Sequence, residues 1–134
     1  MVAYSFNPRF EDALREGWKT QTIRRKRDRH ARPGEMIQLY IGMRTVHCRK
    51  AAPDVRCTGV DQIVITFGED GGIDGITYGG WPVADLDAFA RSDGFADSDD
   101  MAAFWRREHG PREVFHGVLI QWAPPRHPST SIGE

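Results

Sequence analysis

The 134-residue sequence contains few cysteines, and those present do not have the spacing of a metal site. Cys48 and Cys57 are too few for the disulfide framework of a small secreted protein. His47 adjoins Cys48 and His30 lies upstream, but no CxxC or HxxxH spacing is present that would indicate zinc. The sequence therefore predicts reduced thiols and no metal site.

Long apolar runs and nucleotide-cofactor motifs are also missing. No stretch approaches the roughly 18–20 apolar residues that cross a bilayer, and the start of the chain lacks a basic leader and a hydrophobic block. No strand–GxGxxG–helix unit is present, which argues against a Rossmann fold. We therefore expect a cytoplasmic protein that has no membrane association and no cofactor.

The net charge is only −1, but the charges are unevenly distributed along the chain. Residues 1–50 carry a net charge of +7 and residues 51–134 a net charge of −8. Such asymmetry is typical of a protein with a surface that binds a polyanion, because phosphates respond to local charge. It is equally compatible with two halves that neutralise each other in the folded protein.

Length and patterning predict one domain over residues 1–122, followed by a flexible tail over residues 123–134. Helical spacing favours short helices near residues 9–17, 86–91 and 99–108, the last with Ser98 as its N-cap. β-rich segments between turn residues predict strands at 4–6, 36–41, 56–67, 73–78 and 114–122. We therefore expect an α+β fold, mostly β, in which hairpins build a small antiparallel barrel with two or three short helices.

The segment Trp18–Arg24 contains the residues best suited to chemistry. In an extended chain Thr22 and Arg24 share a face, and Lys19 joins them if the chain bends near Thr20. Two cations beside a hydroxyl predict either an anion site or an activated threonine nucleophile. The alternative is a polar strand in which Thr22 serves β propensity and the two cations are solvated.

The run Gly17–Arg24, followed by a basic loop and by Pro33-Gly34-Glu35 before a strand, resembles the ASCH superfamily pattern G-x-K-x-x-T-x-R. ASCH domains are relatives of the PUA RNA-binding domain. The resemblance extends over about residues 4–122, although only the first third carries the signature. It implies a PUA-like β-barrel with a cleft beside the motif, and action on RNA or a modified nucleoside.

The resemblance also implies a specific chemistry. Small bacterial amidohydrolases of this superfamily remove the acetyl group from 4-acetylcytidine with a Lys, a Thr and a Glu. The similarity assigns the first two roles to Lys19 and Thr22, and the third falls on Asp93, which is one methylene shorter than the family Glu. In such an enzyme the threonine attacks the amide carbonyl while the amine and the carboxylate manage protons.

Other superfamily members are ribonucleases or non-catalytic RNA-binding modules, which leaves two alternatives open. In a metal-independent ribonuclease, His30 or His47 would serve as acid or base. Trp105 and Trp122 are expected in the core, and Trp81 is a candidate for base stacking. The residues expected to contact RNA or substrate are Trp18, Arg24, Arg25, Lys26, Arg27, Arg44 and Thr45.

Overall fold

The computed structural model describes residues 1–125 and contains strands, short helices and one 3-10 turn at Pro8–Phe10. The helices are α1 (Glu11–Glu16), α2 (Leu86–Ser92) and α3 (Ser98–His109). The strands are β1 (Val2–Phe6), β2 (Gln21–Arg24), β3 (Met36–Ile41), β4 (Arg49–Lys50), β5 (Val55–Phe67), β6 (Ile73–Tyr78), β7 (Trp81–Pro82) and β8 (Val114–Trp122). The α+β, mostly β class predicted from the sequence is confirmed.

The long strand β5 organises the sheet. Its first residues pair with β3, most of its length pairs with β8, and its second half pairs with β6. β2 joins the sheet through β8. The eight strands form one sheet that is not closed, so the barrel expected from the hairpin pattern is not confirmed.

One strand pairing differs from the antiparallel pattern that the turns predicted. β1 pairs with β3 in parallel, with Tyr4 opposite Leu39. Parallel neighbours require a crossover connection rather than a hairpin, and here the chain passes through α1 and β2 before it returns as β3. This crossover is what places the segment that contains Lys19 and Thr22 beside β1.

Alternating burial on the strands defines the core. Tyr4, Ile37, Leu39, Ile65 and Leu119 are essentially inaccessible and belong to a single apolar cluster. Trp105 and Trp122 are buried in the same cluster, as predicted.

The helix ends follow capping chemistry. Gly17 ends α1 with φ of 89°, a left-handed conformation that favours glycine. The N-cap of α3 is Asp97 rather than the predicted Ser98, because the Asp97 carboxylate accepts the backbone N–H of Asp100 and Ser98 already lies in the first turn. No helix within residues 1–125 is long and apolar enough to cross a membrane.

The beginning of the predicted flexible tail is packed against the domain. The Ala123 N–H donates to the Arg56 carbonyl at 3.0 Å, and Pro125 is buried close to Gly17. The remainder of that predicted tail, residues 126–134, lies outside the described residues.

Candidate functional site

Four polar side chains singled out from the sequence meet at one cavity of about 280 Å3. β2 supplies Thr22 and Arg24, the segment just before β2 supplies Lys19, and Asp93 is the C-cap of α2. Thr22, Lys19 and Asp93 are each at most 5% exposed, although polar residues are rarely buried to this extent. The structure therefore brings together residues that are 74 positions apart in the chain.

The Lys19 amine is held by backbone oxygens. Nζ donates to the Gln21 carbonyl at 2.8 Å and to the carbonyl of Asp93. Because Asp93 ends α2, its carbonyl belongs to the negative end of a helix, where a cation is favoured. Two of the three hydrogen-bonding directions of Nζ are thus filled by carbonyls.

The third direction of Nζ has no hydrogen-bond acceptor among residues 1–125. The Asp93 carboxylate forms an ion pair with it at an Nζ–Oδ1 distance of 3.9 Å, beyond hydrogen-bond length. Burial lowers the pKa of Lys19 to about 8, and the negative charge of Asp93 opposes that shift. The amine therefore titrates close to neutral pH.

Burial shifts the pKa of Asp93 in the opposite direction from that of Lys19. Burial raises its pKa to about 6, while Lys19 and the Gln21 side chain oppose the increase. Gln21 Nε2 donates to Asp93 Oδ1 at 3.4 Å. Near pH 7 the pair therefore consists mainly of an ammonium and a carboxylate, each close to its own titration.

Thr22 is in contact with Arg24 rather than with Lys19. Arg24 Nε donates to Thr22 Oγ1 at 2.9 Å, and the Arg24 guanidinium also donates to the Ser5 carbonyl at 2.8 Å. Burial lowers the pKa of Arg24 to about 10, so its positive charge is retained at neutral pH. The shared face predicted for Thr22 and Arg24 is confirmed.

Aromatic rings line the cationic side of the cavity. Lys19 Nζ lies 4.6 Å from the centroid of Phe10 and 5.4 Å from that of Phe6. Arg24 lies 4.9 Å from the Phe6 centroid. Cation–π attraction at desolvated positions contributes about 2 kcal/mol, which helps to offset the burial of both charges.

Gly94 allows Asp93 to approach Lys19. Its φ is 99°, and a Cβ at this position would lie 2.8 Å from both Lys19 Cδ and Phe10 Cδ1. A side chain at residue 94 would therefore displace the groups that hold the amine. This glycine was not singled out from the sequence, because its role depends on residues distant in the chain.

His109 and Glu108 line the same cavity from the end of α3 and were also missed. The His109 ring lies 4.6 Å from the Trp105 ring, centroid to centroid. Burial lowers the pKa of His109, and nearby Arg112 and Arg25 add to the effect. The helical i, i+4 spacing from the expected core residue Trp105 was the available signal.

Several predicted contact residues lie outside this cavity. Trp18 is 46% exposed, and its indole N–H donates to the Glu16 carboxylate at 3.4 Å. Thr45 Oγ1 donates to the Gly42 carbonyl at 2.6 Å and accepts the His47 N–H, so it stabilises a local turn. Arg44, in that turn with φ of 68°, is also absent from the cavity wall.

Neither histidine proposed as acid or base lines the cavity. Both ring nitrogens of His30 have partners, with Nδ1 2.9 Å from the Tyr4 hydroxyl and Nε2 2.8 Å from the Arg25 carbonyl. Nε2 therefore carries the proton and His30 fixes the fold of the basic loop. His47 is exposed in the turn before β4.

The basic loop presents exposed cations at the end of β2. Arg25, Lys26 and Arg27 are all exposed. Arg25 contributes to the electrostatic field at His109 on the cavity wall, and Arg27 stacks on Tyr4 at 5.0 Å. Within residues 1–125 neither Arg25 nor Lys26 forms an ion pair with an acidic side chain. The acidic second half of the chain therefore does not neutralise these two cations.

Comparison of the chain with protein-family models, curated proteins and solved structures finds no match. The chemistry open to the site is therefore argued from the arrangement of its residues. That arrangement combines a hydroxyl that accepts a hydrogen bond from a guanidinium with an amine and a carboxylate whose pKa values are shifted toward neutrality. These groups are suited to nucleophilic acyl transfer and to binding an anion.

Replacement of Gly94 tests the steric constraint at the site. We expect Gly94→Ala to lower the free energy of unfolding by about 1–3 kcal/mol more than Gly80→Ala, because overpacking adds to backbone strain. Gly80 is a matched control, with φ of 85° and nothing within 4 Å of the added Cβ. Urea unfolding of both variants measures the difference, and equal losses would show that Lys19 and Phe10 do not constrain residue 94.

Proposed function

We propose that this protein hydrolyses the amide of an acylated nucleoside of the 4-acetylcytidine type, with Thr22 as the nucleophile. The substrate type follows the sequence resemblance to the ASCH pattern. The observation that carries the chemistry is the convergence of the buried Lys19, Thr22 and Asp93 and the half-buried Arg24 on one cavity. Its volume of about 280 Å3 is just below the usual range of small-molecule sites, which favours a nucleoside over a folded RNA. We further propose that the open sheet is a variant of the PUA-like fold.

Arg24 activates the Thr22 hydroxyl as the attacking nucleophile. An N–H donated to Oγ1 from a cationic group stabilises the alkoxide more than the hydroxyl and so favours loss of the proton. Oγ1 then bonds to the acyl carbon, the bond from that carbon to the nucleobase nitrogen breaks, and the nitrogen takes a proton. Water subsequently cleaves the Thr22 ester to release the carboxylic acid and restore the hydroxyl.

Lys19 in its neutral form is the proton acceptor. Its two carbonyl acceptors use both hydrogens of the neutral amine, which leaves the lone pair in the third direction. With a pKa of about 8, about a tenth of the amine is neutral at pH 7. No hydrogen bond joins Lys19 to Thr22 in the described chain, so transfer requires a bridging water or a closer approach in the substrate complex.

Removal of the nucleophile tests this mechanism directly. We expect Thr22→Val to reduce kcat for 4-acetylcytidine hydrolysis at least about 10³-fold, because the side-chain shape remains while the attacking oxygen is lost. Lys19→Met should cause a comparable loss. The double variant should be no worse than either single variant, since groups that act as a unit are not additive.

Thr22→Ser is the matched control because it keeps the hydroxyl. It should retain measurable turnover, with all variants checked for folding by urea unfolding. The readout is the amount of deacetylated nucleoside released, measured by chromatography. Wild-type turnover that persists in Thr22→Val would remove Thr22 from the mechanism.

The pH dependence of turnover distinguishes Lys19 from Asp93 as the base. For the wild type we expect kcat to rise with pH, with a midpoint near 8, as the amine loses its proton. The Asp93 charge raises the pKa of Lys19, so Asp93→Asn should move the midpoint of the rise below that of the wild type. If Asp93 were the base, the wild-type midpoint would lie near 6 and Asp93→Asn would be inactive.

A second function, non-catalytic RNA binding, is favoured by one specific observation. Arg25, Lys26 and Arg27 are exposed side by side, and the first two have no acidic partner within the described chain. Their position next to Arg24 extends the positive charge of the cavity onto the surface. Backbone phosphates of a single strand would contact such a loop without base selection.

Salt dependence tests the RNA-binding role. For single-stranded RNA we expect log K to fall linearly with log salt. Arg25→Ala with Lys26→Ala should reduce the slope by about 0.7 for each phosphate that the loop no longer neutralises. Arg91→Ala, an exposed cation on α2, serves as control and should leave the slope unchanged. Fluorescence anisotropy of a labelled oligonucleotide measures the slope; a slope that is the same in the double variant contradicts a role for the loop.

A further inference from the structure

A second cavity, of about 590 Å3, shares no lining residue with the Lys19–Thr22 site. Gln21 lines it, whereas the next residue, Thr22, lines the first cavity. The proposed hydrolysis makes no use of the second cavity.

Strand register places a row of polar side chains on the floor of this cavity. Gln21 of β2 is paired with Gln121 of β8, and Gln121 is paired with Gly59 of β5. Asp61 follows Gly59 by two residues and lines the same cavity. A Cβ on Gly59 would lie 3.4 Å from Gln121 Oε1 and 3.9 Å from Asp61 Oδ2, so the glycine leaves space between these groups.

These polar groups have unused hydrogen-bonding capacity. Gln21 is 2% exposed, and its side chain has one bond, from Nε2 to Asp93 Oδ1. Within residues 1–125 its amide oxygen, the Gln121 amide and the Asp61 carboxylate have no hydrogen-bond partner. Gln121 and Asp61 are half-buried and open to the cavity, so their free donors and acceptors are available to a ligand that supplies both.

An exposed aromatic ring stands at the rim of the cavity. Trp81 is 78% exposed and is paired with Tyr78 across the β6–β7 turn. Tyr78 also lines the cavity and packs on Phe89 at 5.9 Å between ring centroids. A planar ligand can stack on Trp81 while its edge meets the polar floor.

The charges at this cavity select against phosphate. Asp61 and Asp85 line it, whereas Lys and Arg side chains are absent from its wall within the described chain. A carboxylate accepts a hydrogen bond from an exocyclic amino group, and glutamine amides pair with the donors and acceptors of a base edge. We propose that this cavity binds a nucleobase that carries an exocyclic amino group, stacked on Trp81 and recognised by Asp61 and the two glutamines.

Calorimetric titration of the full chain with matched nucleosides tests the proposal. Cytidine and uridine differ in the exocyclic group, amino against carbonyl, as do adenosine and inosine. We expect the amino member of at least one pair to bind about tenfold more tightly or better, in line with one correctly paired base edge. Asp61→Asn should abolish that preference, whereas Asp74→Asn, an exposed carboxylate on β6 outside the cavity, should retain it.

Trp81→Ala tests the stacking component, and it should weaken binding of both members of the pair by about 5- to 150-fold. Equal binding of amino and carbonyl nucleosides, or a preference that survives Asp61→Asn, overturns the proposal. Binding of an oligosaccharide such as maltotriose without nucleoside binding also overturns it.

Ligand binding to one cavity is distinguished from binding to the other by the residues on which it depends. Cytidine binding that survives Asp61→Asn and is lost in Lys19→Met belongs to the first cavity and contradicts the present proposal. Binding that follows Asp61 and Trp81 supports it, whether or not 4-acetylcytidine is hydrolysed. Measurements with Thr22→Val keep the two proposals distinguishable, because that variant cannot turn over substrate by the proposed route.

Discussion

Burial of the Lys19 ammonium is the constraint on which the site depends. Removing a cation from water costs several kcal/mol, and the surrounding structure must replace the lost hydration. It does so with the carbonyls of Gln21 and Asp93, the Asp93 carboxylate and the rings of Phe6 and Phe10. These groups come from β1, the 3-10 turn, β2 and the end of α2, so the amine is a point at which distant segments must meet.

The same burial gives the amine and the carboxylate their chemical character. An exposed lysine is fully protonated at pH 7 and an exposed aspartate fully ionised, so neither exchanges protons readily. Desolvation lowers the pKa of Lys19 and raises that of Asp93, whereas their mutual attraction opposes both shifts. The 3.9 Å separation is long enough for desolvation to prevail. A shorter, hydrogen-bonded pair would be a stable ion pair with less tendency to transfer a proton.

Local rules predicted the parts of this fold that local chemistry determines. Period-two spacing placed Thr22 and Arg24 on one face, and glycine at position 17 ended α1. Non-local features escaped these rules. The parallel pairing of β1 with β3, the steric role of Gly94 and the position of His109 each depend on residues far apart in the chain. Asp93 was singled out only through the resemblance to the ASCH pattern, because no local sequence spacing connects residue 93 with Lys19.

Gln21 connects the two cavities physically. Its side chain is buried, Nε2 donates to Oδ1 of Asp93, which lines the first cavity, and Gln21 itself lines the second cavity. A ligand donor that bonds to the Gln21 oxygen would polarise the amide and strengthen its N–H as a donor. That change favours the ionised form of Asp93, and a more fully ionised carboxylate raises the pKa of Lys19. Occupation of the second cavity would thereby reduce the neutral fraction of the amine that the proposed mechanism requires.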